Sequence, residues 1–184
     1  MKTRLRVPAL LAVALLAGCN VLPPPQADTV RYFTLGNPAG PGLAQNATLV
    51  RPVQLAGHLH GRKMAVRVSE HEVTYLDDVR WAEPLGEAIT QALRNRLGAV
   101  AGGATITVEV QRGELDRAAG NQVELTATYL IVPADGDRAT GQHGLFTATP
   151  RAWDGKDYGV LVGLLHTAVG ELGDAIAGAL TEKK

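Results

Sequence analysis

Polar and apolar positions alternate over two neighbouring stretches of the chain. Ile106, Val108 and Val110 interleave with Thr105, Thr107, Glu109 and Gln111. Val123, Leu125, Ala127, Tyr129 and Ile131 interleave with Glu124, Thr126 and Thr128. A period of two marks a half-buried strand, because successive side chains point to opposite faces. Residues 116–121 between them are rich in turn formers, so the two strands are expected to pair as a hairpin. Residues 63–69 alternate as well, with Met64, Val66 and Val68 on one face and Lys63, Ala65, Arg67 and Ser69 on the other. A short strand over 72–76 is expected to form a hairpin with them. Weaker strand candidates cover 31–35, 48–55 and 145–149. Pro52 inside the second of these implies an edge or a bulge, since proline cannot donate to a ladder.

Two segments change to helical spacing. Leu85, Ala88, Ile89, Ala92, Leu93 and Leu97 make one apolar stripe. Pro84 suits its first turn and Gly98 its C-cap. Over 158–180, Leu161, Leu165, Ala168, Val169, Leu172, Ile176 and Leu180 share a face, with Thr167, Glu171, Asp174 and Gly178 opposite. His166, Glu171 and Asp174 argue against a membrane span. Glycines 159, 163, 170, 173 and 178 each cost an isolated helix about 1 kcal/mol relative to alanine. Gly159-x-x-x-Gly163 is expected to let the helix pack closely on its own sheet. The economical architecture is an α/β layered domain, a mixed β-sheet carrying two main amphipathic helices, formed by residues 31–184 without internal repeats.

The N-terminus reads differently. Lys2, Arg4 and Arg6 precede an apolar run over 7–17 that is too short to span a bilayer, which needs roughly 20 residues. The run ends in Leu16-Ala17-Gly18-Cys19, which resembles the bacterial lipobox, so residues 1–18 are expected to be a lipoprotein signal peptide and Cys19 the lipidation site. Palmitate-type acyl chains on that residue would anchor the chain, because two or more chains hold a protein stably. Asn20 is not the aspartate that resembles an inner-membrane retention signal, which favours the outer membrane, facing the periplasm. Residues 19–30 form a tether stiffened by Pro23-Pro24-Pro25, extended at about 3.1 Å per residue.

Composition narrows the function. Lysine plus arginine equals aspartate plus glutamate, 18 against 18, and aromatics are 4% of residues. A nucleic-acid binder needs excess positive charge and stacking platforms, so no nucleic-acid partner is expected. The chain has one cysteine and a single serine, Ser69, outside any nucleophile elbow, which leaves little room for serine or cysteine hydrolase chemistry. The glycine run over 98–103 follows a helix and precedes a strand, the reverse of the phosphate-cradling order. Asp77-Asp78, Glu83 and Glu87 read as a charged turn and a helix start. His58, His60 and His71 are a candidate metal set for a periplasmic metal-dependent hydrolase, although His58 and His60 sit between glycines in a loop. The sequon Asn46-Ala47-Thr48 carries no meaning in a bacterium.

The segment Tyr75-Leu76-Asp77-Asp78-Val79-Arg80-Trp81-Ala82-Glu83-Pro84-Leu85 remains. Trp81 can pack across the first helical turn, Glu83 sets negative charge at the positive helix end, and Arg80 is a candidate partner contact. Here the chain resembles the PqiC family, the auxiliary lipoproteins of ABC-type, MCE-protein transport systems. The resemblance rests on the lipobox, Tyr32-Phe33-Thr34-Leu35, the strand Ala65-Val66-Arg67, and Arg80-Trp81-Ala82-Glu83-Pro84-Leu85 opening a helix that runs to Leu97. It covers nearly the whole mature chain, and R-W-x-E-P-L is its most specific element. Where the family often has P-x-Y-L, this chain has Ala56-Gly57-His58-Leu59. The resemblance implies a fold similar to the N-terminal domain of TolB, no enzymatic activity and no cofactor. It also implies partners in an MCE-domain protein with its ABC permease and ATPase, and assembly as a homo-oligomeric ring. Signature positions are Arg67, Tyr75, Arg80, Trp81, Glu83, Pro84 and Leu85. The implied function is lipid trafficking between inner and outer membranes; a stand-alone lipid-binding lipoprotein is the other reading.

Overall fold

The computed structural model describes residues 29–36, 47–100 and 102–181. The expected signal peptide, Cys19 and most of the expected tether lie outside the described residues. Among the described residues one mixed sheet of nine strands carries the fold. They are β1 (Arg31–Phe33), β2 (Leu49–Val50), β3 (Gln54–Leu55), β4 (Lys63–Ser69), β5 (Glu72–Trp81), β6 (Thr105–Asp116), β7 (Gln122–Val132), β8 (Gln142–Thr147) and β9 (Arg151–Ala152). The helices are α1 (Leu85–Leu97) and α2 (Tyr158–Thr181). The strand order is β1-β5-β4-β6-β7-β8.

Strand β6 is the organising element. Along one side it pairs in parallel with β2 at Thr105 and Ile106, with β3 at Glu109 and Val110, and with β4 at Leu115 and Asp116. Its other side forms the long antiparallel hairpin with β7. The expected alternation holds there: Ile106, Val108, Val110, Val123, Leu125 and Ala127 are buried and belong to one core with Ile89, Leu93 and Leu97 of α1 and Leu161, Leu165 and Leu172 of α2. Both helices therefore lie on one face. They are tied to each other by Arg96, whose Nε and Nη2 donate to the Asp174 carboxylate at 2.7 and 2.6 Å. By length and composition alone α2 is apolar enough to cross a membrane, but its apolar stripe is spent on this core.

Several local expectations are corrected by pairing partners distant in sequence. Strand β5 does not stop at residue 76. It runs to Trp81, because β1 pairs with Val79–Trp81 and Lys63 pairs with Arg80. Asp77 and Asp78 are thus strand residues at an irregularity in the ladder and not a turn. Pro52 divides the 48–55 candidate into β2 and β3. Strand β8 begins three residues earlier than expected, and Leu145 is 70% exposed while Phe146 packs against the core. Pro84 is the N-cap of α1, with ψ 129°, one position before the first turn, and Gly98 caps with an ordinary right-handed conformation.

The expected close packing of Gly159 and Gly163 on the sheet is also overturned. Among the described residues, and apart from the backbone of α2 itself, no atom lies within 4 Å of where a Cβ would stand on Gly163, Gly170 or Gly178, and Gly159 meets only Asp157. These glycines line the back of α2, away from the sheet. Gly173 is the contrary case: a Cβ there would stand 3.0 Å from Cδ of Arg96, so this glycine admits the helix–helix contact.

Candidate functional site

The signature segment divides between core and surface. Trp81 ends β5 pointing inward and is 2% exposed; Leu85, in the first turn of α1, is equally enclosed. Both are packing residues. Burying a tryptophan here is what joins β5, β4 and α2, since Trp81 borders a void shared with Met64, Leu161 and Leu165 that has room for a single water. Arg80 points to the other face, half-buried, and its Nη1 donates to the carbonyls of Leu76 and Val79 at 2.9 and 3.0 Å. It thereby satisfies carbonyls at the irregular stretch of β5. Glu83 is half-buried and Pro84 exposed, just ahead of α1, whose Glu87 and Ala88 N–H groups donate to the Pro84 carbonyl. Lys63 pairs with Asp77 at 2.9 Å on the same surface, and that lysine holds the Asp77 carboxyl below the usual range.

A second constellation was not foreseen from the sequence. A bulge after Val110 shifts the register of β6, so that Arg112, Glu114 and Asp116 fall together on the face opposite the helices. Glu114 pairs directly with Glu124 of β7. Two like charges opposed on a sheet repel, and Arg112 lies between them, bonded to Glu124 and 3.5 Å from Glu114. The Glu114 side chain is 0% exposed. A carboxyl group so enclosed is costly unless its oxygens are hydrogen-bonded. Its Oε1 accepts from Nε of Arg67 at 2.7 Å and its Oε2 from Nε2 of His58 at 2.7 Å. His58 reaches it because residues 56–62 cross the gap that β3 and β4 leave beside β6. Tyr75 closes the loop from above, its hydroxyl donating to the His58 carbonyl at 3.1 Å.

The cluster continues to Asp116, which accepts from Arg112 at 2.7 Å and from the Ala119 backbone N–H at 2.8 Å. Burial by itself would raise the Asp116 pKa; the Ala119 N–H and the Arg112 guanidinium outweigh it and hold the carboxyl below its usual range. For Arg112, burial works against the charge, and Asp116, Glu124 and Glu114 more than compensate, so its pKa rises. A groove of about 560 Å³ opens beside Arg67, Glu70, Arg112 and Asp116. On its wall Arg67, Arg112 and Asp116 are engaged in ion pairs, whereas the Glu70 carboxylate is exposed at the rim with His71 3.9 Å away, and Nε of Arg112 is buried without a hydrogen-bond partner.

The three histidines are not brought together. His58 is committed to Glu114, Nε2 of His60 lies 2.9 Å from the Leu55 carbonyl, and His71 is exposed beside Glu70 at 3.9 Å. Among the described residues no group of three or more His, Cys, Asp and Glu side chains could hold a metal ion. The cue for the ionic cluster was present in the sequence as Arg112-x-Glu114-x-Asp116, charges at a period of two on a strand. That pattern ordinarily means a solvated face. The covering loop that buries it is a tertiary fact.

At the end of the sheet where the chain enters, Arg31 stacks over the rings of Phe33 and Tyr158, 5.5 and 5.0 Å from their centroids. Trp153 packs on Tyr158 at 5.3 Å, and its indole N–H donates to the Asp157 carbonyl.

These features define a two-layer α/β domain with an apolar core on one face of the sheet and a buried ion network on the other. The profile of the ABC-type transport auxiliary lipoprotein component family matches residues 33–177, and the chain belongs to that family. Two solved structures share the fold. One is a protein described only as uncharacterized, 18% identical, covering 82% of this chain and 97% of its own, with a TM-score of 0.64. The other is a DUF330 protein from Xanthomonas campestris, 17% identical, covering 84% and 96%, with a TM-score of 0.60. Among curated proteins no relative matches the chain.

Proposed function

We propose that this auxiliary lipoprotein is acylated on Cys19 and held at the outer membrane, facing the periplasm. There it serves as a non-enzymatic docking subunit for an MCE-type ABC system that moves lipid between the two membranes. Membership of the transport auxiliary family carries the reading, because the chain's one cysteine falls at the end of a lipobox ahead of the family domain. The stiff tether, the scarcity of nucleophiles and the internally paired charges of the β-sheet support a role in holding other proteins. Without its first 18 residues the chain carries a formal charge of −3, since those residues contain three basic side chains and no acid. The acyl chains, and not surface charge, would then supply the membrane affinity. Of the signature positions, Tyr75, Glu83 and Pro84 are open to a partner.

Affinity capture of the full chain from detergent-solubilised envelopes, with the partner operon expressed, should recover an MCE-domain protein. Capture that repeatedly returns none overturns the docking role. Membrane fractionation tests the anchor independently: Cys19→Ala should move the protein out of the outer-membrane fraction, and unchanged fractionation would refute lipidation as the means of attachment.

A further inference from the structure

The guanidiniums of the ion network do not balance its carboxyl groups. Glu114 is wholly enclosed, and Asp116 and Glu124 are mostly so. Against these three stand Arg67 and Arg112. Arg67 is spent on Glu114. Arg112 is divided, with Nη2 on Asp116, Nη1 on Glu124, and Nε 3.5 Å from Glu114 without a hydrogen bond. An uncompensated charge in so enclosed a place is costly. The group that can supply the missing positive charge is already in contact: Nε2 of His58 lies 2.7 Å from Oε2 of Glu114. The other two histidines of the candidate metal set stay outside the network, His60 at the Leu55 carbonyl and His71 exposed beside Glu70.

We propose that the folded chain closes this network with a proton, held on His58 as an imidazolium against the Glu114 carboxylate, so that the strap of residues 56–62 is fastened more tightly in acid than in base. Both oxygens of Glu114 receive donors, Oε1 from Arg67 and Oε2 from His58, which suits a carboxylate better than a carboxylic acid. An imidazolium also brings the two signs to three against three. The strap has two further ties to the sheet. Leu59 is buried in the apolar core, and the Tyr75 hydroxyl donates to the His58 carbonyl at 3.1 Å. Through that hydroxyl the proton reaches Tyr75, a position open to a partner; this consequence rests on the docking reading, whereas the proton-fastened strap does not. A proton held more firmly by the folded network than by the unfolded chain stabilises the fold fully below the ordinary histidine range, about 6.5, and that stabilisation is lost as the pH rises above it.

Urea titrations of the full chain in detergent, between about pH 5.5 and 9, test this against His58→Gln, whose amide can donate the same hydrogen bond without a charge. The parent should exceed His58→Gln most at the acid end. The ratio of their folding constants should then fall as the pH rises, by up to about tenfold per pH unit, the limit for one linked proton. His71→Gln, outside the network, should follow the parent throughout. A ratio of parent to His58→Gln that stays constant or increases with pH overturns the proposal. Nitrogen-15 spectra of the imidazoles in the folded parent give a second reading that needs no variant. Near neutral pH His58 should carry hydrogen on both ring nitrogens, and a bare nitrogen there overturns the proposal even if His58→Gln fails to fold.

Discussion

The molecule has two buried clusters on opposite faces of the same strands, and they are held by different physics. Around Trp81 the interior is apolar, and its stability comes from area removed from water and from close packing with α2. Around Glu114 the interior is ionic, and its bonds mainly cancel the cost of enclosing charge. Truncating a member of the first leaves a cavity, whereas removing one member of the second leaves its partners without their bonds. Adjacent residues of β6 serve both: Leu115 belongs to the apolar core and Glu114 to the ion network.

The largest effect is expected on the apolar side. Trp81→Ala should destabilise the domain by about 3–5 kcal/mol, the range for truncating a buried tryptophan. A urea titration reads this as a shift in midpoint at unchanged slope. A loss under about 1 kcal/mol would mean that the indole does not anchor the junction of β5 with α2.

On the ionic side, Glu114→Leu should cost about 3 kcal/mol, the low end for removing one partner of a buried pair, because Arg67 borders the groove and can recruit water. The double variant Arg67→Met with Glu114→Leu should recover much of that loss, since it removes the orphaned charge as well. The coupling energy from the four-variant cycle decides the comparison. If Trp81→Ala shows the same strong coupling to Arg67→Met, the two clusters are not separate.

The apolar cluster was legible in the sequence and the ionic one was not, for one reason. Alternation along 105–110 and 123–131 and the leucine stripe of α1 are local patterns, and each predicted its buried face correctly. The burial of Glu114 depends on a β-bulge, on the spacing of β3 and β4 along β6, and on a loop whose His58 arrives from 56 residues away. Long-range pairing likewise drew β5 out to Trp81, which local turn propensity at Asp77-Asp78 did not foresee. The expected lipobox and most of the expected tether, legible in the sequence as local motifs, fall outside the described residues.

A pH titration sharpens the comparison further. Asp116 is held below its unfolded value of about 3.9, so the native state gives up that proton more readily than the unfolded chain. Its contribution is complete above that pH and is lost as the pH falls through the lower native value. The stability difference between the parent and Asp116→Asn should therefore be largest near neutrality and shrink on acidification below about pH 4. The difference between the parent and Trp81→Ala should show no such acid limb. A gap between parent and Asp116→Asn that stays constant down to the lowest pH at which the chain folds would exclude Asp116 as a contributor.

The smallest effect lies on the back of α2, which belongs to neither cluster. Glycine in a helix interior costs about 0.8–1 kcal/mol relative to alanine, through backbone entropy. Where space is open, Gly170→Ala should return most of that, raising the melting temperature by about 2–4 °C for a domain of this size. Gly163→Ala should do the same, since among the described residues nothing outside the backbone of α2 stands within 4 Å of its Cβ position. Gly173→Ala should gain nothing or lose stability, because its methyl would press on Arg96, whose guanidinium is fixed on Asp174. A helix that ranked all three substitutions alike would show that propensity alone sets their effect, and that the contact between α1 and α2 at Gly173 is loose enough to yield.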